Sequence, residues 1–304
     1  MRIVVFGSSN TDMIVRVSRI PKPGETVIGG TFAMAAGGKG ANQAVAAARA
    51  GGKVTFIARV GNDLFGGQAV QGFRKDRIHT GHIIRDRKHT SGVALIIVDA
   101  KGENSIAVAS GANSALCPTD VMQSRTALTG ADILLMQLEV PLETVAVAAD
   151  LAFRRGITVI LNPAPARKLP ASLLRKISIL TPNEHEAGYL TGIPVKSGQD
   201  ARKAADKLRN RGIQTVLITL GPRGAYVASE TFNGMISGFK VRPVDSTAAG
   251  DVFNGALAVA LAEKKEIGDA VRFANAAAAL SVTRLGAQPS APGRKEIELL
   301  LKRG

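Results

Sequence analysis

The segment Val244 to Leu257, VDSTAAGDVFNGAL, holds the residues best suited to chemistry. Ala248, Ala249 and Gly250 are small and run straight into an apolar helical pattern. Successive backbone N–H groups at such a helix start would converge on one point and hold an anion. Asp251 falls in the first turn. Two readings stay open for it: a capping carboxylate, or a base that takes a proton from a hydroxyl while negative charge develops beside it.

Two further segments offer ligand contacts. In AAGGKGANQAVAAARAGG, Ala35 to Gly52, the glycines Gly37, Gly38 and Gly40 let the backbone approach a ligand or pivot, and Asn42 can hydrogen-bond a polyol. The bland alternative is a turn before a helix. In TPNEHE, Thr181 to Glu186, Asn183 and Glu186 lie three apart and share a face if helical. Beside phosphates Glu186 could hold water ligands of Mg²⁺; as a capping pair the two need no ligand.

Other chemistries are absent. Gly38-Lys39 is followed by Gly40 and Gly52-Lys53 by Val54, so no P-loop occurs, and neither G-x-G-x-x-G nor G-x-S-x-G is present. His79, His82, His89 and His185 show no zinc spacing, and His185-Glu186 lacks the second histidine of a zincin.

These segments need a scaffold. Strands are expected at about Ile3 to Phe6, Val54 to Val60, Ile133 to Leu138, Thr158 to Leu161, Ile177 to Leu180 and Val216 to Thr219. Helices are expected at about Ala41 to Ala50, Leu142 to Arg154, Gln199 to Arg211, Asp251 to Glu263 and Asp269 to Arg284. This alternation predicts an α/β doubly wound, mostly parallel sheet flanked by helices, with ligands at the carboxyl ends of its strands. Met13 to Val17, Thr26 to Phe32, Val93 to Asp99 and Ser105 to Ala109 break the rhythm, and Asp99 to Gly102 supplies a turn. They predict a small β-sheet lid over the active site, or else an edge extension of the main sheet.

The chain of 304 residues is 45% hydrophobic and 4% aromatic, with no tryptophan. It can bury a large core but lacks the aromatics on which single-strand nucleic-acid binders stack bases. Its formal net charge of +15 favours anionic partners. The basic residues are scattered, which counts against nucleic acid. A lone cysteine, Cys117, cannot form an internal disulfide, and no apolar run is long enough to span a membrane. A cytoplasmic protein is expected.

In order and spacing, GSSNTD, AGGKGAN, MQLE at Met136 to Glu139, TPNEHEAGYLTG, TLGPRG at Thr219 to Gly224, DSTAAGD and ANAAAALSVTRLGAQPS resemble the ribokinase and phosphofructokinase-B sugar kinases. The resemblance spans essentially the whole chain and is tightest to the ribokinase branch around AGGKGAN, NSIAVASGAN and GAQPS. It implies one kinase domain over 1–304, with a lid from segments at about 13–35 and 92–110. The implied activity is ATP-dependent phosphorylation of the D-ribose 5-hydroxyl.

The resemblance also assigns residues. Asp251 would be the general base, with an anion hole over Ala249 to Asp251 and Ala248 preceding it. Ribose would meet Asn10, Asp12, Gly38, Lys39, Gly40, Ala41, Asn42 and Glu139. Nucleotide would meet Asn183, Thr219, Leu220, Gly221, Pro222, Arg223, Gly224, Gly250 and Asn275. Glu186 would organise Mg²⁺ through water, and Asp245, Thr247, Ser281, Arg284, Gly286 and Ser290 would surround an activating K⁺. Two lids would pair into a homodimer. Ser246 and Val252 stand where relatives carry threonines; the first keeps its hydroxyl and the second does not. The rivals are a kinase for deoxyribose, fructose or a nucleoside, a non-catalytic sugar sensor, and a basic nucleic-acid-binding protein.

Overall fold

A computed structural model describes residues 1–303. The strands are β1 (Arg2–Phe6), β2 (Asn10–Arg16), β3 (Thr31–Gly37), β4 (Lys53–Gly61), β5 (Ile83–Asp86), β6 (Gly92–Val98), β7 (Asn104–Ala109), β8 (Ile133–Met136), β9 (Thr158–Leu161), β10 (Ile179–Leu180), β11 (Thr215–Thr219), β12 (Ala225–Ala228) and β13 (Asn233–Ile236). Nine of them form one sheet in the order β13-β12-β11-β10-β9-β8-β1-β4-β5. It is parallel from β11 to β5 and ends in the antiparallel pair β12 and β13.

A parallel sheet covered on both faces needs strands that are apolar throughout. In β1, Ile3, Val4, Val5 and Phe6 are all buried. One core holds Phe56 against Phe73, edge to face at 5.2 Å, beneath helices Lys39–Arg49, Ala249–Ala262 and Ile267–Ser281. The other holds Phe6, Met136 and Leu138 under Leu142–Phe153 and Gly198–Arg209. The doubly wound expectation holds.

Helices Lys39–Arg49 and Ala249–Ala262 touch almost backbone to backbone. A Cβ on Gly255 would lie 2.7 Å from the Gln43 carbonyl oxygen and from Ala46 Cβ. The Ala-rich faces are what permit this approach, and it brings Asn42 and Gln43 to Asp251.

The remaining strands form a separate sheet, β3-β2-β6-β7, which rules out the edge-extension alternative. Strand β2 pairs antiparallel with β3 and parallel with β6. The strand expected at Thr26 to Phe32 is displaced: pairing starts at Thr31 opposite Arg16 and runs to Gly37 opposite Asn10. Gly29 and Gly30, at φ 101° and 106°, break the extended path before it. Strand β2 also starts earlier than expected, at Asn10, so the paired region reaches down to the main sheet. Strand β8 ends at Met136, leaving Gln137 to Glu139 beyond it, and the Asp251 helix begins at Ala249. Among the described residues no helix is long and apolar enough to cross a membrane.

Candidate active site

Asp251 is 5% exposed. Its Oδ2 accepts from Asn42 Nδ2 at 3.0 Å and its Oδ1 from Gln43 Nε2 at 2.9 Å. Burial pushes the carboxyl above its ordinary range, the Lys39 ammonium and the two amides pull it back, and the Glu139 charge adds to the rise. Ala248 precedes the helix in the left-handed region at φ 59°, a conformation that costs a non-glycine residue on the order of 1 kcal/mol. The Ala249 N–H donates to the Ser246 carbonyl at 3.3 Å. That leaves the N–H groups of Gly250 and Asp251 to head the helix beside the carboxylate.

The sugar-side residues hang from the root of the small sheet. Asp12 lies over Gly37, where a Cβ would come within 2.4 Å of both carboxylate oxygens, so a glycine is required there. Among the described residues Asp12 accepts no side-chain or backbone hydrogen bond, and burial, then the charges of Glu139 and Asp251, push its carboxyl up to about 6. Such a group is a ready acceptor for sugar hydroxyls. Glu139 Oε2 accepts from Ser8 Oγ at 2.6 Å and from the Lys39 N–H at 2.9 Å. The Lys39 ammonium is raised by the Asp251 charge first, with Glu139 and Glu186 adding to it against burial. Asn10 Oδ1 is occupied by Asn113 Nδ2 at 2.7 Å, which leaves the Asn10 amide N–H groups for a ligand. Asn10, Asn113, Glu139 and Val108 line a cavity of about 410 Å³.

Not every residue of the glycine segment faces that cavity. Gly38, at φ 87°, turns the chain into the helix, while the N–H groups of Gly40 and Ala41 donate to Ser8 Oγ at 3.2 Å and Ser8 O at 2.8 Å. Those two hold the helix start against β1. Asn42 Oδ1 is buried with no partner.

On the nucleotide side Asn183 caps helix Glu184–Thr191, its Oδ1 accepting from the Glu186 N–H at 2.8 Å while Glu186 Oε2 accepts from the Asn183 N–H at 2.8 Å. Burial raises the Glu186 carboxyl. Both its oxygens are turned toward Asn183, and among the described residues no group of three His, Cys, Asp or Glu could hold a metal. Glu186 would therefore reach a Mg²⁺ ion through water rather than directly.

Thr219 bridges to Asn183 and begins the turn that Gly221, Pro222 and Gly224 shape, where a Cβ on Gly224 would lie 2.1 Å from Ile236 O. Leu220 is buried in the core, and Arg223 pairs with Glu184 rather than reaching the turn's open face. Asn275 Nδ2 donates to the carbonyls of Ile236 and Ser237, both at 3.2 Å, and so fastens the end of β13.

The residues expected around K⁺ come from two segments that meet. Asp245 Oδ1 accepts from the Thr247 N–H and hydroxyl, and Oδ2 from the Gly286 N–H at 2.9 Å. Against the burial that raises it, these bonds hold the carboxyl below its ordinary range. Ser281 and Ser290 are buried, each hydroxyl donating to a local carbonyl, and Arg284 pairs with Glu296. Since both carboxylate oxygens already accept hydrogen bonds, a monovalent ion at this junction would have to draw on main-chain oxygens.

Five side chains that organise the site lay outside the expected set: Ser8, Gln43, Asn113, Gln137 and Asn162. Gln43 and Gln137 are fully buried within apolar surroundings. A polar side chain inside an apolar run is the sequence signal that marks them, because burial obliges it to find a partner.

Chemically, the arrangement can draw a proton from an alcohol and stabilise an anion beside it. A profile of pfkB family carbohydrate kinases matches residues 1–294. The ribokinase of Haemophilus influenzae is 48% identical over 294 residues, 97% of this chain and 96% of that protein. Ribokinase from Thermotoga maritima superposes with a TM-score of 0.90 at 41% identity, covering 99% of each chain. Arabidopsis thaliana ribokinase complexed with ribose and ATP superposes with a TM-score of 0.92 at 35% identity, covering 99% of this chain and 98% of that one. The chain belongs to the pfkB family of carbohydrate kinases. It is an ATP-dependent sugar kinase with the ribokinase-like fold.

Proposed function

We propose that this kinase transfers the γ-phosphoryl group of ATP to the 5-hydroxyl of D-ribose. The observation that carries the reading is the Asp251 carboxylate, buried at a helix N-terminus and within electrostatic reach of Lys39, Glu139 and Asp12. Asp12, Glu139 and the Asn42 amide hold the sugar hydroxyls. Asp251 takes the 5-hydroxyl proton, the oxygen forms a bond to the γ-phosphorus, and the bond from that phosphorus to the β-bridging oxygen breaks, ADP leaving with the electron pair. The N–H groups of Gly250 and Asp251 face the charge that develops on the transferring group. Phosphoryl transfer needs alignment and electrostatics more than covalent help, and both are built into this helix start.

Glu186 would hold Mg²⁺ through water, and the ion would supply neutralising charge to the phosphates. The turn from Thr219 to Gly224 forms the nucleotide groove together with Asn183. Asp245 and Gly286, whose junction leads into the anion hole, would hold a K⁺ ion, which would order that loop. The small sheet closes over the sugar as a lid. Its face opposite Asp12 exposes Val15, Phe32, Met34 and Leu95, an apolar patch suited to the lid of a second copy. The single cysteine fits a cytoplasmic protein.

The test is ADP release with ribose, deoxyribose, fructose and adenosine as acceptors, with and without K⁺. Ribose is expected to give the highest kcat/KM, with a K⁺-dependent rise. A higher value for any other acceptor, or transfer to none, overturns the assignment.

A further inference from the structure

Behind Asp251 lies a chain of buried amides with no part in the steps above. Gln43 Nε2 donates to Asp251 Oδ1 at 2.9 Å and also to Asn162 Oδ1 at 3.1 Å. Gln43 Oε1 accepts from Gln137 Nε2 at 2.5 Å, and Asn162 Nδ2 donates to the Thr181 carbonyl at 3.0 Å. A carboxamide is nearly symmetric in shape but not in polarity, so its surroundings decide which end it presents. The Thr181 carbonyl can only accept, which turns Asn162 Oδ1 toward Gln43. Gln137 meets the other end of Gln43 with a donor. The first of these leaves the Gln43 NH₂ group as the end facing Asp251, and the Gln137 donor agrees with it.

Gln137 packs against the end of β1, its own Oε1 buried without a partner. Its Oε1 lies 2.1 Å from where a Cβ on Gly7 would be, so the β1 end must be glycine to admit it. The chain thus runs from the ends of β1, β8, β9 and β10 to the helix that carries the base.

We propose that Gln43, aligned by Gln137 and Asn162, is a positioning residue for the base: it keeps the Asp251 carboxylate ionised and fixes its orientation toward the sugar hydroxyl. The proposal rests on the reading of Asp251 as the base. Among the described residues no other side chain donates to Oδ1, so loss of Gln43 leaves a buried carboxylate with Asn42 as its one side-chain donor. The charged groups facing Asp251 are Lys39 at the start of helix Lys39–Arg49, Glu139 after β8, Asp12 on β2 and Glu186 on helix Glu184–Thr191. The three carboxylates favour the protonated acid and Lys39 opposes them. Removing one donor to the ionised form tips that balance toward the acid.

Gln43→Met removes the donor at similar volume. Gln137→Met and Gln137→Glu act from a position that does not touch Asp251, and the second rewards Gln43 for turning its NH₂ group away from the base. In all three, kcat is expected to fall about 10- to 100-fold, a share of the rate that a correctly ionised base supplies. Ribose KM should stay within about threefold, and the acidic limb of the kcat/KM profile should move up by about one pH unit. The Asp251 carboxyl ¹³C resonance, assigned by its loss in Asp251→Asn, should titrate at higher pH in each variant that melts as the wild type does. Unchanged kcat and acidic limb in a folded variant, or a uniform loss at every pH with an unmoved carboxyl titration, overturns the proposal. Should the wild type transfer nothing to ribose, the ribose reading fails alone, and the carboxyl titration still decides the role of Gln43.

Discussion

Replacing Asp12 by Asn should make the protein more stable and a worse sugar binder. The side chain keeps its shape, so it still lies over Gly37. What changes is a carboxylate that the fold disfavours, held up to about 6 against an ordinary 3.8 by burial and by the charges of Glu139 and Asp251. Because the folded-state value is raised, the native protein binds more protons than the unfolded chain between those two values. Stability is therefore lost as pH rises from about 4 to about 6 and stays low above that. A difference of about two units corresponds to at most about 3 kcal/mol at pH 7.5, since partial solvent contact softens it, and to about 1 kcal/mol at pH 4.5. Urea denaturation of Asp12→Asn and wild type at the two pH values should show the variant ahead by these amounts, while its ribose Kd rises at least about tenfold through loss of a charged acceptor. A gap independent of pH, or a variant less stable at pH 7.5, refutes the argument that this carboxylate is held at a cost to the fold for the sake of a ligand.

Three further outcomes follow from the same geometry. Asp251→Asn should cut kcat by about 10² to 10⁴ while calorimetric ribose binding stays within a few-fold, since the amide preserves shape but accepts no proton. Gly255→Ala should lower stability by about 1–3 kcal/mol by chemical denaturation, because the new methyl would meet the Gln43 carbonyl at 2.7 Å, and activity should fall further than Asn42 binding contacts alone explain. Leu95→Lys, on the small-sheet face opposite Asp12, should abolish in sedimentation the self-association proposed for that face; an unchanged sedimentation coefficient removes that face as the interface.

The fold was legible where burial is complete on both sides. Ile3 to Phe6 and Val159 to Leu161 are short unbroken apolar runs, as strands of a doubly covered parallel sheet require, and the helices between them follow from Ala-rich periodicity. Helix Leu64–Lys75 is not legible in the sequence because Gly66, Gly67 and Gly72 dilute its pattern. It is nonetheless started by Asp63, whose side chain accepts from the Gly66 N–H at 2.8 Å, and Gly66 itself has a tertiary reason: a Cβ there would meet Gly61 O at 2.2 Å. A local propensity cannot register that contact. The displaced strand β3 has the same origin, since its start depends on how Gly29 and Gly30 turn the chain relative to Arg16.

The site divides along similar lines. Asp251 stands out because an ionisable group in the first turn of a helix that follows small residues is conspicuous in one dimension, whereas Asp12 and Glu139 enter only through the resemblance to the sugar kinases. Gln43, Gln137 and Asn162 are 94 residues apart at the first link and 119 at the second, and each alone looks like an ordinary amide. Their meaning lies in polarity passed from one carboxamide to the next, and polarity of that kind exists only once the partners are in place. The first group announces which chemistry is possible, whereas the second determines whether the base is ionised and aimed when substrate arrives. A sequence therefore displays the reacting atoms more readily than the buried contacts that make them reactive.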